Sequence, residues 1–98
     1  MLDLELAFRL ADAADAISLP RFRSGLPVET KPDLTPVTEA DRAVEAEIRS
    51  ILAAERRDDA VLGEEEGAAG SGARRWIVDP IDGTRNYSRG VPVWATLI

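Results

Sequence analysis

The sequence contains no histidine, no cysteine and only one lysine among its 98 residues. Without histidine there is no Ser-His-Asp triad, no histidine general base and no HExxH metal site. Without cysteine there is no thiol nucleophile, no zinc knuckle and no disulfide bond. Any chemistry must therefore use carboxylates, hydroxyls, arginines, Lys31, backbone amides and bound ions.

Long apolar segments and an excess of positive charge are also missing. The longest uncharged runs are far shorter than the roughly 20 residues that span a bilayer, and Asp3 and Glu5 interrupt any signal-peptide pattern. The 12 basic and 18 acidic residues give a net charge of −6, which disfavours binding to nucleic acid or to an anionic membrane. We therefore expect a cytoplasmic protein with neither of these partners.

The composition, with 45% hydrophobic and 31% charged residues, is typical of one small soluble domain or of a piece of a larger one. The final run, residues 93–98, is apolar and is followed by no turn or polar tail. We therefore expect residues 1–98 to be the N-terminal part of a single longer domain, truncated within a strand.

Two amphipathic helices are predicted. Apolar spacings of four and three predict the first from Leu2 to Leu19, with Pro20 ending it. The second begins after Thr38, a good N-cap, and ends within residues 55–58. The predicted buried stripes are Leu6, Leu10, Ala13 and Ile17 in the first helix and Val44, Ile48, Ile51 and Leu52 in the second. Glu45 and Arg49 are predicted to form an i,i+4 pair on the solvent face.

The remaining segments read as short strands and turns. Residues 21–37 alternate turn formers with short extended pieces, and GAAGSGA at residues 67–73 is predicted to be a flexible connector. Predicted strands cover residues 61–62, 75–78 and 93–98, with a turn or short helix at residues 85–90.

The segment DPIDGT at residues 79–84 is the first candidate site. It follows an apolar strand, where ligand sites collect in open sheets, and Pro80 restricts the backbone between Asp79 and Asp82. Amides at Gly83 and Thr84 could bind an anion. An Asp-rich turn without function is the alternative, which spacing alone does not exclude.

The run GEEE at residues 63–66 is the second candidate, since it also directly follows an apolar strand. If the two strands are neighbours, Glu64, Asp79 and Asp82 converge at one sheet end, as hard oxygen ligands suited to Mg²⁺ or Mn²⁺. The alternative is a solvated acidic loop. Asp41, in the first turn of the second helix, could either orient a hydroxyl such as that of Thr84 or merely stabilise the helix dipole.

Three blocks in this order resemble the inositol monophosphatase-like superfamily of metal-dependent sugar phosphatases. They are LTPVTEAD at residues 34–41, GEE at residues 63–65 and WIVDPIDGTRNY at residues 76–87. The resemblance implies an α/β layered sugar-phosphatase fold, of which this chain is the N-terminal α+β part, with two helices packed on a sheet.

The resemblance also implies residue roles. Glu64, Asp79, Asp82 and the Ile81 carbonyl would bind Mg²⁺, with Glu65 beside these ligands. The Gly83 and Thr84 amides would contact the substrate phosphate. Thr84, oriented by Asp41, would activate a metal-bound water for attack on phosphorus.

The expected function is therefore Mg²⁺-dependent hydrolysis of a small phosphorylated metabolite. Within the superfamily, the sequence is most similar to the bacterial histidinol-phosphatase branch, and inositol-1-phosphate is the alternative substrate. A catalytically incomplete metal-binding fragment is the competing interpretation, since the family's later aspartate ligand and substrate contacts would lie beyond Ile98. The isolated chain is expected to be inactive, and association as a homodimer stays open.

Overall fold

The computed structural model describes residues 1–98, which form three helices and six short strands. The helices are α1 (Asp3–Arg21), α2 (Glu39–Glu55) and α3 (Thr84–Ser88), and the strands are β1 (Glu29–Thr30), β2 (Pro36–Val37), β3 (Ala60–Gly63), β4 (Gly67–Ala69), β5 (Arg75–Asp82) and β6 (Ala95–Leu97). The main sheet has the order β4-β3-β5-β6, and β1 and β2 form a separate antiparallel ribbon. Within the main sheet only the β3–β5 pair is parallel.

Helices α1 and α2 pack together on one face of this sheet, as expected. Their shared core consists of Leu6, Leu10, Ala14, Val44, Ile48, Leu52 and Val78, all fully or almost fully buried. Burying a Leu, Ile or Val side chain contributes about 1.5–3 kcal/mol, so this cluster is the main apolar contribution to stability. In α1 the buried residues repeat every four positions and include Ala14 and Ser18, whereas the predicted Ala13 and Ile17 are only partly buried.

The opposite face of the sheet carries exposed apolar side chains. Ile77 is 56% exposed and Leu97 is 48% exposed, and Val93 and Ile98 in the terminal segment are also exposed. None of the three helices combines the length and apolarity that crossing a bilayer would require.

Several boundary predictions were wrong, among them those for the end of α1 and for residues 67–73. Helix α1 continues through Pro20 to Arg21, because a proline in the last turn removes one hydrogen bond while the Phe22 amide still donates to Ser18 at 3.0 Å. The predicted connector at 67–73 begins with strand β4, whose residues Gly67–Ala69 pair antiparallel with β3. Small side chains are compatible with such an edge strand, and composition alone did not reveal the pairing.

Candidate active site

The parallel pairing of β3 and β5 brings the two acidic motifs together. Gly63 is the register partner of Val78, so Glu64 and Asp79 follow at the same edge of the sheet. A cavity of about 400 Å³ opens there. It is lined by Lys31, Thr35, Pro36, Glu64, Glu65, Asp79, Ile81, Asp82, Gly83, Thr84, Arg85 and Asn86. Every predicted site residue except Asp41 therefore lines one cavity. Asp41 is buried next to the cavity and contacts Thr84.

The end of β5 is shaped by Pro80 and Gly83. Strand β5 runs four residues further than predicted, to Asp82, with a register shift against β6 between Asp79 and Asp82. Such irregularities accompany a proline in a strand, since proline cannot donate to the ladder. Gly83 then adopts a left-handed conformation with φ 88°, which favours glycine, and α3 begins at the next residue. The chain thus turns sharply where the motif faces the cavity.

Thr84 and Asp41 are in direct contact, as the sequence predicted. The Thr84 hydroxyl oxygen lies 2.9 Å from Asp41 Oδ1 and 3.0 Å from the Ile81 carbonyl oxygen. A hydroxyl has one proton to donate, so the Thr84 hydroxyl can donate to either acceptor and retains lone pairs of its own. The contact joins residues that are 43 positions apart in the sequence.

Asp41 is held rigidly at the start of α2. It is 1% exposed, and its Oδ2 accepts hydrogen bonds from the Thr38 amide at 2.9 Å and the Thr38 hydroxyl at 2.6 Å. The Asp41 amide in turn donates to the Thr38 hydroxyl oxygen, which completes a capping box. One carboxylate oxygen therefore caps the helix, and the other faces Thr84.

The cavity carboxylates repel one another. Partial burial, together with the charges of Glu64 and Asp82, raises the pKa of Asp79 to about 6. Burial also raises the pKa of Glu65, against the opposing effect of Lys31. Like charges held close together favour the protonated form of a carboxyl group, and a bound cation would favour the ionised form.

The donor chemistry fits a hard divalent cation, but the acidic side chains are not gathered into a cluster. No three of them lie close enough together to form a metal-ligand group as they stand. Glu64, Asp79 and Asp82 were predicted to converge at one sheet end. Their strand ends do lie together at one cavity, but their side-chain oxygens do not gather around a common point. The roles of these residues as ligands stay predictions.

Lys31 is a cavity residue whose contacts the sequence analysis did not identify. Its ammonium nitrogen lies 3.4 Å from Glu65 Oε1 and 3.7 Å from Glu64 Oε1. Burial alone would lower the pKa of Lys31, but the charges of Glu65 and Glu64 outweigh burial and raise it. The available signal was that the only lysine of the sequence lies next to the first of the three motif blocks.

Glu45 was assigned to the wrong environment. The predicted pair with Arg49 exists at 3.1 Å, but the Glu45 side chain is fully buried and Arg49 is 19% exposed. The correct signal was the spacing of Asp41, Glu45, Ile48 and Leu52, because these residues share one helix stripe at intervals of four, three and four. Acidic residues extend the apolar stripe towards the site.

Comparison with known proteins places this arrangement in a family. The sequence model described as the inositol monophosphatase family matches residues 3–98. Over 97 residues the chain is 64% identical to a histidinol-phosphatase from Streptomyces coelicolor, covering 98% of the chain and 36% of that relative. A histidinol-phosphatase from Mycobacterium tuberculosis is 58% identical over 98 residues, covering 98% of the chain and 38% of that relative. The chain thus spans little more than a third of these relatives.

Solved structures have the same fold. An inositol monophosphatase from Thermotoga maritima matches with a TM-score of 0.87 and 30% identity, over 98% of the chain and 38% of that protein. An IMPase/NADP phosphatase complexed with Mg²⁺ and phosphate matches with a TM-score of 0.74 and 25% identity, over 96% of the chain and 36% of that protein. The expected sugar-phosphatase fold is confirmed, and the chain belongs to the inositol monophosphatase family.

Proposed function

We propose that the intact protein is a Mg²⁺-dependent phosphatase of small phosphorylated metabolites and that histidinol phosphate is its preferred substrate. The observation that carries the reaction type is the Thr84–Asp41 hydrogen bond of 2.9 Å beside the carboxylate-lined cavity. The preferred substrate is supported by the two relatives named histidinol-phosphatase, at 64% and 58% identity.

Glu64, Asp79, Asp82 and the Ile81 carbonyl are the residues that would hold Mg²⁺. All are hard oxygen donors and line the same cavity, and a neighbouring structure of the same fold contains Mg²⁺ and phosphate. When bound, the cation supplies charge neutralisation for the phosphoryl oxygens and lowers the pKa of water. Partial burial and repulsion by Glu64 and Asp82 raise the pKa of Asp79 to about 6, and a cation among these groups would relieve the repulsion.

Thr84 and Asp41 would position the attacking water. If the Thr84 hydroxyl donates its proton to Asp41 Oδ1, its lone pairs are free to accept a hydrogen bond from a water molecule in the cavity. Asp41 suits this orienting role because Thr38 holds its other oxygen. Water would then attack phosphorus directly, which agrees with the absence of histidine and cysteine.

Gly83 and Thr84 would bind the substrate phosphate through their backbone amides. Both residues line the cavity at the start of α3, and the absence of a side chain at Gly83 allows close backbone approach. A Cβ atom at position 83 would lie 3.1 Å from the Val93 carbonyl oxygen, so a larger residue would disturb this turn.

Phosphate release from histidinol phosphate and from inositol-1-phosphate, each with Mg²⁺ and with EDTA, tests the proposal on the intact protein. We expect hydrolysis that requires Mg²⁺, with a higher kcat/KM for histidinol phosphate. A higher value for inositol-1-phosphate would reverse the substrate assignment, and the Thermotoga neighbour makes it the second candidate. Equal release in EDTA would contradict the metal requirement.

The isolated 98-residue chain provides a second comparison. It spans 36–38% of the histidinol-phosphatases that it matches, and phosphoryl transfer depends on complete positioning and charge neutralisation. We expect it to be inactive even where it binds metal, which is the behaviour of a metal-binding fragment. Hydrolysis by the monomeric chain at ordinary enzyme rates would contradict this expectation.

A further inference from the structure

Glu45 is a fully buried carboxylate outside the predicted catalytic and ligand set. Its Oε1 accepts a hydrogen bond from the Glu65 amide at 2.8 Å, and its Oε2 accepts one from the Glu66 amide at 2.7 Å. Arg49 donates to the same Oε2 at 3.1 Å and also donates to the Gly67 carbonyl oxygen. The two side chains thus hold Glu65 and Glu66 in the turn between β3 and β4, and Gly67 at the start of β4.

Gly63 is shaped to admit this carboxylate. A Cβ atom built at position 63 would lie 2.5 Å from both Glu45 Cδ and Glu45 Oε1, a separation that real contacts do not reach. The glycine at the end of β3 therefore leaves room for the Glu45 carboxylate. At the start of this turn, the Glu64 amide donates to the Val78 carbonyl oxygen at 3.1 Å, and this hydrogen bond connects the turn to β5.

Burial of Glu45 removes its charge from water, and three hydrogen-bond donors compensate for that cost. An apolar side chain at this core-facing position would avoid desolvating a charge, whereas a carboxylate pays for it with strong hydrogen bonds. Those bonds go to the two backbone amides that follow Glu64, at the edge of the cavity. The carboxylate therefore fixes the backbone from which Glu64 and Glu65 project.

We propose that Glu45 is a positioning residue that holds the 64–66 turn and thereby sets the divalent-cation affinity of the cavity. The claim about affinity rests on the proposed function, whereas the claim about the turn does not. Glu45 itself would contact neither cation nor substrate. Partners of this kind typically change metal affinity by about 10–100-fold when they are removed.

The first measurement needs no metal. Amide hydrogen exchange at Glu65 and Glu66 is followed by NMR in the intact protein and in its Glu45→Gln variant, with Glu47→Gln as control. Glu47 is an exposed glutamate on the same helix. We expect at least about tenfold faster exchange at one or both of these amides in Glu45→Gln only, since a carboxamide offers one acceptor oxygen in place of two and at least one hydrogen bond is lost. Unchanged exchange would overturn the positioning role.

The second measurement is Mn²⁺ and Mg²⁺ affinity by titration calorimetry, at a temperature where each variant is folded by circular dichroism. We expect Glu45→Gln to bind the cation about 10–100-fold more weakly, while kcat at saturating Mg²⁺ changes much less. Glu47→Gln should match the wild type. Unchanged affinity in a folded Glu45→Gln protein would overturn the affinity claim. A wild-type protein that binds no divalent cation would instead contradict the proposed function.

Gly63→Ala keeps the proposal testable if Glu45→Gln does not fold. The added methyl group must displace the Glu45 carboxylate, so it should reproduce both the faster exchange and the weaker cation binding. In a Glu45→Ala background the same substitution should add little, because the group with which it collides is gone. Additive effects of the two substitutions would contradict the proposed coupling.

Discussion

Two sets of carboxylates lie at one end of this chain, and they differ in how their negative charges are balanced. Asp41 and Glu45 in α2 are buried, and the oxygens of each accept hydrogen bonds from backbone and side-chain donors. Glu64, Asp79 and Asp82 line the open cavity, and mutual repulsion contributes to raising the pKa of Asp79 to about 6. The first set holds the backbone in place. In the second set Glu64 is paired with Lys31 at 3.7 Å, and the charges of Asp79 and Asp82 could be balanced by a bound cation.

Thr84→Ala should have the largest effect, because Thr84 joins the two sets. We expect kcat of the intact protein to fall by about 10²–10⁴-fold, the usual range for a positioned acid–base group. Cation affinity measured by calorimetry should change little. Thr84→Ser, which keeps the hydroxyl, should retain most of the activity. Equal activity of the alanine and wild-type proteins would exclude the proposed role of Thr84.

Asp82→Asn tests the cavity set directly. Asp82 is exposed at the end of β5, so its substitution should leave the fold intact. We expect Mg²⁺ affinity to fall by at least about tenfold, with turnover at limiting Mg²⁺ falling in parallel. The readout is the Mg²⁺ dependence of phosphate release. The same Mg²⁺ dependence in variant and wild type would show that Asp82 is not a ligand.

Asp41→Ala should affect stability as well as activity, which distinguishes the buried set from the cavity set. The substitution removes the acceptor of the Thr38 amide, a buried donor. Leaving such a donor unpaired costs about 1–3 kcal/mol, which denaturant unfolding can measure. Asp82→Ala is the matched comparison, with no loss of stability expected. If both substitutions cost the same, the distinction between the two sets is wrong.

The smallest effect is expected for Asp79→Asn without metal. The raised pKa means that the folded protein binds this proton more tightly than the unfolded chain, so ionisation of Asp79 destabilises the fold. After allowance for solvent exposure, we expect the variant to be about 1 kcal/mol more stable than wild type above pH 6. This advantage should disappear as the pH falls towards 4. A pH-independent difference would show that ionisation of Asp79 is not the cause of the difference in stability.

The sequence predicted local structure and the site well where pattern and chemistry agreed. Thr38 as N-cap, the α2 stripe and the convergence of residues 63–66 with 79–84 follow from residue types and apolar spacing. Spacing left the role of Asp41 open, and the family resemblance implied the Thr84–Asp41 contact that the structure contains. Resemblance to the family supplied the roles that spacing left open.

Errors arose where a tertiary contact overrode the local pattern. The charge of Glu45 favoured a solvent-facing prediction although its spacing places it on the buried stripe of α2, and two backbone amides from a distant turn make its burial favourable. The sequence of strand β4 has no apolar alternation that would predict a strand. Its strand conformation depends on pairing with β3. The contacts of Lys31 with Glu64 and Glu65 likewise span more than thirty residues.

Thermal unfolding of the intact wild-type and Asp79→Asn proteins across a Mg²⁺ titration tests whether Asp79 belongs to a cation site. Without Mg²⁺ the variant should be the more stable, because it lacks a repelled charge. A cation at about 100 times its Kd stabilises the folded state by about 2.7 kcal/mol. This exceeds the destabilisation of about 1 kcal/mol expected from the Asp79 charge. We therefore expect the order of stability of the two proteins to reverse as the Mg²⁺ concentration rises. A variant that stays more stable at every Mg²⁺ concentration would contradict a cation site built on Asp79.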